Sequence, residues 1–174
     1  VIYITGEETA GQAKLRAHRL NISGNNLYIL AENNLDSALE HASSIKPELL
    51  ILDSIQSVYT IEGETPPGSI NQLRLTTQRV INWAKDINCP AIITGHVTKD
   101  GTIAGPRVLE HMVDVVCYLE GEAFQAYRIL RSLKNRFGST NEVGIFEMQS
   151  KGMIEVSNPS HIFLPESFAG IAGS

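Results

Sequence analysis

Four short apolar runs, three of which stop abruptly at a polar or charged residue, constrain this chain more than any other feature. They are Val1-Ile2-Tyr3-Ile4, Leu27-Tyr28-Ile29-Leu30, Leu49-Leu50-Ile51-Leu52 and Ala91-Ile92-Ile93-Thr94. Each is too short for a helix and lacks the alternation of a half-solvated strand, so each reads as a strand buried on both faces, as in a parallel sheet. Helical spacing fills the gaps. Ala10, Ala13, Ala17 and Leu20 predict a helix over about 8–20, and Leu35, Ala38, Leu39, Ala42 and Ile45 a second, stopped by Pro47. Ser69 is a suitable N-cap for a long third helix with its stripe on Ile70, Leu73, Val80, Ile81, Ala84 and Ile87.

After a Gly-containing loop over 97–106 the pattern changes. A short helix is expected over 107–112 and a strand over 113–119. Tyr127 to Lys134, Val143 to Met148 and Met153 to Val156 then read as successive strands with short turns. The expected fold class is α/β, a mainly parallel sheet flanked by helices with an antiparallel C-terminal extension. The core spans 1–157, and the Ser/Pro/Gly-containing segment 158–174 reads as an exit linker.

At 174 residues the chain suits one domain with a sizeable core. No apolar run is long enough to cross a bilayer and no basic-then-apolar segment opens the chain, so a cytoplasmic protein with no membrane partner is expected. Cys89 and Cys117 are widely spaced in apolar surroundings and read as buried free thiols in a reducing compartment. The net charge of −5 is uneven. Residues 1–66 hold Lys14, Arg16, Arg19 and Lys46 against nine acids, whereas 67–174 balance at ten each. Within 123–141, Arg128, Arg131, Lys134 and Arg136 occur with no acid, which suits an anion bound at one place.

In open parallel sheets ligands lie at the carboxyl ends of the strands. Asp53, after four apolar residues, forms a Walker B pattern: a carboxylate on a rigid strand end that can support Mg²⁺, usually through water. The bland alternative is a turn cap. Glu7 and Glu8 follow the first strand, where a carboxylate can activate water, although acids also favour a helix's first turn electrostatically. His96 ends the fourth strand and suits sensing of a terminal phosphate, against the plain reading of a satisfied strand-end histidine. Strand alternation puts Arg128, Lys134 and Arg136 on one face, as cationic fingers for phosphate or as charges guarding a sheet edge.

Thr5-Gly6-Glu7-Glu8, Leu52-Asp53-Ser54-Ile55-Gln56, Gly95-His96-Val97-Thr98-Lys99, the run from Gly105 to Asp114 and Lys134-Asn135-Arg136-Phe137-Gly138 together resemble the bacterial RadA (Sms) family of RecA-like DNA repair and recombination ATPases. The resemblance runs from Val1 to about Pro165. It implies a RecA-like P-loop NTPase core that hydrolyses ATP with Mg²⁺, acts on single-stranded DNA and recombination intermediates by branch migration, forms a homohexameric ring and works beside a recombinase. By position it implies Glu7 as the catalytic carboxylate, Asp53 as the Walker B acid, His96 as the γ-phosphate sensor, and Lys134 and Arg136 as residues acting across a subunit interface. Loops 59–68 and 97–106 fall where such proteins contact DNA, which makes Lys99 and Arg107 candidates for backbone contacts.

The family also has a four-cysteine zinc module, a phosphate-binding loop ahead of the strand at Val1, and a Lon-protease-like domain after the tail. No Gly-x-x-x-x-Gly-Lys-Ser/Thr occurs in these residues. The expectation is therefore a core truncated at the N-terminus, part of a longer ATPase and poorly active or inactive alone. Two other readings compete: a DNA-binding and assembly module whose ATPase is vestigial, and another RecA-like relative of the clock or replicative-helicase type. The Lys134–Gly138 and Gly105–Asp114 elements argue against the latter.

Overall fold

The computed structural model describes residues 1–96, 106–121 and 126–158. The chain divides into two compact units, Val1–Val113 and a second beginning at Asp114. The first holds β1 (Ile2–Thr5), α1 (Ala10–Arg19), β2 (Tyr28–Ala31), α2 (Leu35–Ile45), β3 (Leu50–Asp53), α3 (Ile70–Asp86), β4 (Ala91–Ile93) and a 3₁₀ turn at Pro106–Leu109. Its strands pair in parallel in the order β2-β1-β3-β4. The register aligns Thr5 with Asp53, so the carboxyl ends of β1 and β3 finish level.

Side chains alternate across a sheet, and here the alternation sorts the apolar runs by burial. Ile2, Ile4, Leu50 and Leu52 are fully buried and cluster with Leu35, Ala38, Leu39 and Ala42 of α2 and Leu73 and Val80 of α3. The opposite face is less covered: Tyr3 and Ile51 are half-buried and Ile92 is 52% exposed. Strands expected to be buried on both faces are thus sealed on one. α1 buries only Ala13 and leaves Leu15 73% exposed, so it covers little of the sheet.

The helices begin where backbone donors find caps. α1 starts at Ala10, later than its apolar spacing suggests, because Thr9 and Gln12 form a capping box. Ser69 caps α3 as expected. α2 ends at Lys46, whose left-handed backbone (φ 51°) precedes Pro47. Gln72, fully buried on α3, accepts from the Thr60 amide at 3.2 Å and donates to the Thr60 and Gly63 carbonyls at 3.1 and 2.8 Å, which ties down the polar loop 59–68.

The second unit is an antiparallel four-stranded sheet of β5 (Val115–Glu120), β6 (Tyr127–Asn135), β7 (Val143–Gln149) and β8 (Gly152–Glu155), in sequence order. These strands bond to one another as a sheet of their own. A β-bulge interrupts β6: Ser132 pairs with Cys117, but Lys134, not Leu133, pairs with Val116. One extra residue reverses the facing of everything beyond it. Lys134 therefore does not share a face with Arg128, contrary to simple alternation. Cys117 is exposed rather than buried, while Cys89 is buried, and both thiols are free.

The burial pattern sets a stability test. Leu50→Ala should cost about 2–5 kcal/mol by opening a cavity in the sealed face, whereas Leu15→Ala should change stability by less than about 0.5 kcal/mol. Urea denaturation of the two variants checks the difference.

Candidate functional site

Thr5 ends β1 and is followed by Gly6 and Glu7, Asp53 ends β3 and is followed by Ser54, and Thr94 to His96 follow β4. Because β3 lies between β1 and β4, these ends form one row. Backbone bonds fix it: the Gly6 amide donates to the Asp53 carbonyl at 3.2 Å and the Ile55 amide to the Thr94 carbonyl at 3.0 Å. The peptide joining Asp53 to Ser54 is cis. Gly6 is required by space, since a Cβ there would lie 2.4 Å from Ser57 Oγ and 3.0 Å from the Ser57 carbonyl oxygen.

The structure brings Glu7, Asp53 and His96 together. Ser54 Oγ donates to Glu7 Oε1, and His96 Nε2 stands 3.4 Å from the same oxygen. Gln56 Nε2 holds the His96 carbonyl at 3.0 Å. Glu7 lies outside the first turn of α1, which contains no acid, so helix electrostatics do not account for it. The Glu7 and Glu8 amides converge on Thr5 Oγ1 at 3.3 and 3.1 Å, and this turn sends the two carboxylates to different partners. Glu8 grips Arg16 of α1, with Oε1 at 3.2 Å from Nη1 and Oε2 at 2.9 Å from Nη2.

Asp53 is held from two sides. Thr94 Oγ1 donates to Oδ1 at 2.7 Å, and the Tyr3 hydroxyl donates to Oδ2. Arg16 Nη2 donates to the Tyr3 oxygen and lies 3.6 Å from Asp53 Oδ2. Burial pushes the Asp53 carboxyl up, but the hydrogen bonds from Tyr3 and Thr94 and the nearby Arg16 and His96 outweigh it and hold the group below the ordinary carboxylate range. Burial, reinforced by Asp53, raises the Tyr3 phenol to about 12.

Sequence reasoning missed Tyr3, Arg16 and the Thr94 hydroxyl. The available signal was a phenol inside an apolar run, on the face opposite Ile2 and Ile4, and an arginine one turn beyond Ala13.

The donors around Asp53 and Glu7 are carboxylate and hydroxyl oxygens, which suit a hard cation such as Mg²⁺. Among the described residues no three His, Cys, Asp or Glu side chains converge as an all-protein metal cage. A Mg²⁺ held by one carboxylate, water and phosphate oxygens requires none.

The remaining candidates belong to other segments of the chain. In the second unit, Arg136 follows β6 and is clasped by Asp114, with its amide on the Asp114 carbonyl at 3.1 Å and Nη1 on Oδ1 at 2.8 Å. Lys134 sits on β6 at the bulge. Arg107, in the 3₁₀ turn, is exposed. Lys99 lies outside the described residues. Loop 59–68 carries Glu62 and Glu64 and no cation. Among the described residues no helix is long and apolar enough to cross a membrane.

The Tyr3–Asp53 contact gives a titration test. Tyr3 keeps its proton in the folded chain to about 12, against an ordinary 10.0. The associated stability is complete below the ordinary value and is lost as pH rises through the folded one. Asp53 has the opposite sign: its contribution is present above the ordinary 3.8 and is lost as pH falls through the depressed value. Phenolate absorbance should therefore include a late step near pH 12, and Tyr3→Phe should remove it.

No protein-family model matches the chain. Curated relatives do. The DNA repair protein RadA of Listeria monocytogenes is 54% identical over all 174 residues, which make up 38% of that protein. The RadA proteins of Streptococcus pneumoniae and Bacillus subtilis are 52% and 51% identical, again over the whole chain, which spans 41% and 38% of their lengths. Among solved structures, a crystal structure of the RadB recombinase superposes with a TM-score of 0.61 over 89% of this chain and 78% of that one, at 18% identity. That likeness establishes the RecA-like α/β fold. From its first residue to its last, the chain belongs with the bacterial RadA proteins, of whose length it spans about two fifths.

Proposed function

We propose that this chain is the water-activating and metal-supporting part of an ATP-hydrolysing motor that serves DNA repair and recombination. The observation that carries the reading is the row of Glu7, Asp53 and His96 on the level ends of three strands. The whole-length similarity to proteins named for DNA repair supports the biological setting.

In this reading Glu7 orients and deprotonates the attacking water, because its carboxylate faces the strand ends while Glu8 is taken up by Arg16. Asp53 holds its negative charge and is the residue that would support Mg²⁺, which when bound would supply charge neutralisation at the nucleotide phosphates. His96, tied to Glu7, reports a terminal phosphate to the segment that follows it. Lys134 and Arg136 serve the nucleotide of a neighbouring subunit in a homohexameric ring, with Asp114 holding Arg136 until it is needed. The DNA track is single-stranded, and Lys99 and Arg107 rather than the acidic loop 59–68 supply the backbone contacts. Branch migration of recombination intermediates beside a recombinase is the proposed output, in the cytoplasm.

ATP hydrolysis by the complete protein carrying this chain, measured with and without single-stranded DNA, tests the reading; no hydrolysis under either condition would refute it. Glu7→Gln should lower turnover about 10²–10⁴-fold while nucleotide still binds. Glu8→Gln should change turnover far less, because Glu8 is taken up by Arg16. Equal loss of turnover in both would reverse the assignment. Arg136→Ala should reduce DNA-stimulated turnover by about 10³-fold or more, as removal of a trans-acting arginine does; wild-type rates in a correctly assembled particle would remove Arg136 from the site.

A further inference from the structure

Tyr3 occupies an unusual place for a residue in a buried apolar run. Its hydroxyl donates to Asp53 Oδ2 and accepts from Arg16 Nη2, so it stands between a carboxylate and a guanidinium. The two charged groups are 3.6 Å apart. A guanidinium bonded directly to a carboxylate lies at about 2.7–2.9 Å, closer than Arg16 stands to Asp53; Arg16 pairs instead with Glu8, its nearest nitrogen–oxygen distance there being 2.9 Å. Arg16 is also stacked toward the Tyr3 ring, 5.6 Å from its centre. Tyr3 is carried by β1, whose backbone is bonded on both sides by β2 and β3.

We propose that Tyr3 is a positioning residue whose hydroxyl acts as a spacer: it keeps Arg16 from closing onto Asp53 and so leaves the carboxylate available to a divalent cation. The inference rests on the metal-supporting reading of Asp53. Thr94 secures Oδ1 and Tyr3 secures Oδ2, so the carboxylate plane is set by two neutral hydroxyls. Neutral donors steer a carboxylate without cancelling its charge. A direct ion pair with Arg16 would orient it too, but would also neutralise it. Glu8 completes the arrangement by pairing with the guanidinium through both of its carboxylate oxygens. Removing the hydroxyl while keeping the ring leaves less than an ångström for two opposite charges to close.

The test uses the complete protein and two readouts, the Mg²⁺ concentration for half-maximal ATP hydrolysis and direct Mn²⁺ binding followed by electron paramagnetic resonance with a non-hydrolysable ATP analogue. Tyr3→Phe should raise the Mg²⁺ requirement and weaken Mn²⁺ binding by about five- to tenfold, the size of one net hydrogen bond, and should change turnover at saturating Mg²⁺ by less than that. The double variant Tyr3→Phe/Arg16→Gln should recover most of the affinity, because nothing remains to close onto Asp53. Arg16→Gln alone should not raise the metal requirement, and this holds the inference to account even if Tyr3→Phe folds poorly. Unchanged affinity in Tyr3→Phe, a double variant as weak as the single, or a raised requirement in Arg16→Gln would each overturn the spacer. Asp53→Asn separates the two levels: if it leaves Mn²⁺ binding and hydrolysis intact, the metal-supporting reading itself fails and the spacer with it.

Discussion

The parallel pairing of β1 with β3, in the register that sets Thr5 opposite Asp53, is the constraint on which the candidate site depends. It levels two strand ends that are 48 residues apart in the chain. Gly6 then passes close enough to Ser57 that no side chain fits between them, and Ser54 comes within bonding reach of Glu7. A slip of one residue would turn Asp53 to the other face and separate it from Tyr3 and Thr94. The sealed face, where Ile2, Ile4, Leu50 and Leu52 pack under α2 and α3, is what makes such a slip expensive.

Around that frame, charge is sorted by partner choice. Glu7 and Glu8 are adjacent in sequence and chemically alike, yet a turn anchored on Thr5 Oγ1 sends one to Ser54 and His96 and the other to Arg16. Asp53 is ringed by hydroxyls, with the guanidinium one atom further out. An exposed ion pair contributes little to stability. The value of Arg16 lies in where it directs the neighbouring carboxylates.

Much of this was legible in residue order. Short apolar runs followed by Asp53 and by Gly95-His96, the cap at Ser69, and the change from strand–helix alternation to successive strands all reflect local physics: periodicity, capping and turn chemistry. The bulge in β6 was not legible, because an extra residue is accommodated by the partner strand and leaves no mark on the pattern of Arg128 and Lys134. The exposure of Cys117 and Ile92 was hidden for a related reason: an apolar run shows that a face can be buried, not that something covers it.

The sequence by itself determined the α/β class, the kinship with RadA proteins and the presence of carboxylates at strand ends, since these follow from composition and order along the chain. Only the tertiary structure decided which of the two adjacent glutamates Arg16 takes up and what holds Asp53. Tyr3, Arg16 and Thr94 reach it from β1, α1 and the end of β4. Their meeting is set by strand register and helix placement, which act through space, and residue spacing along the chain carries no record of it.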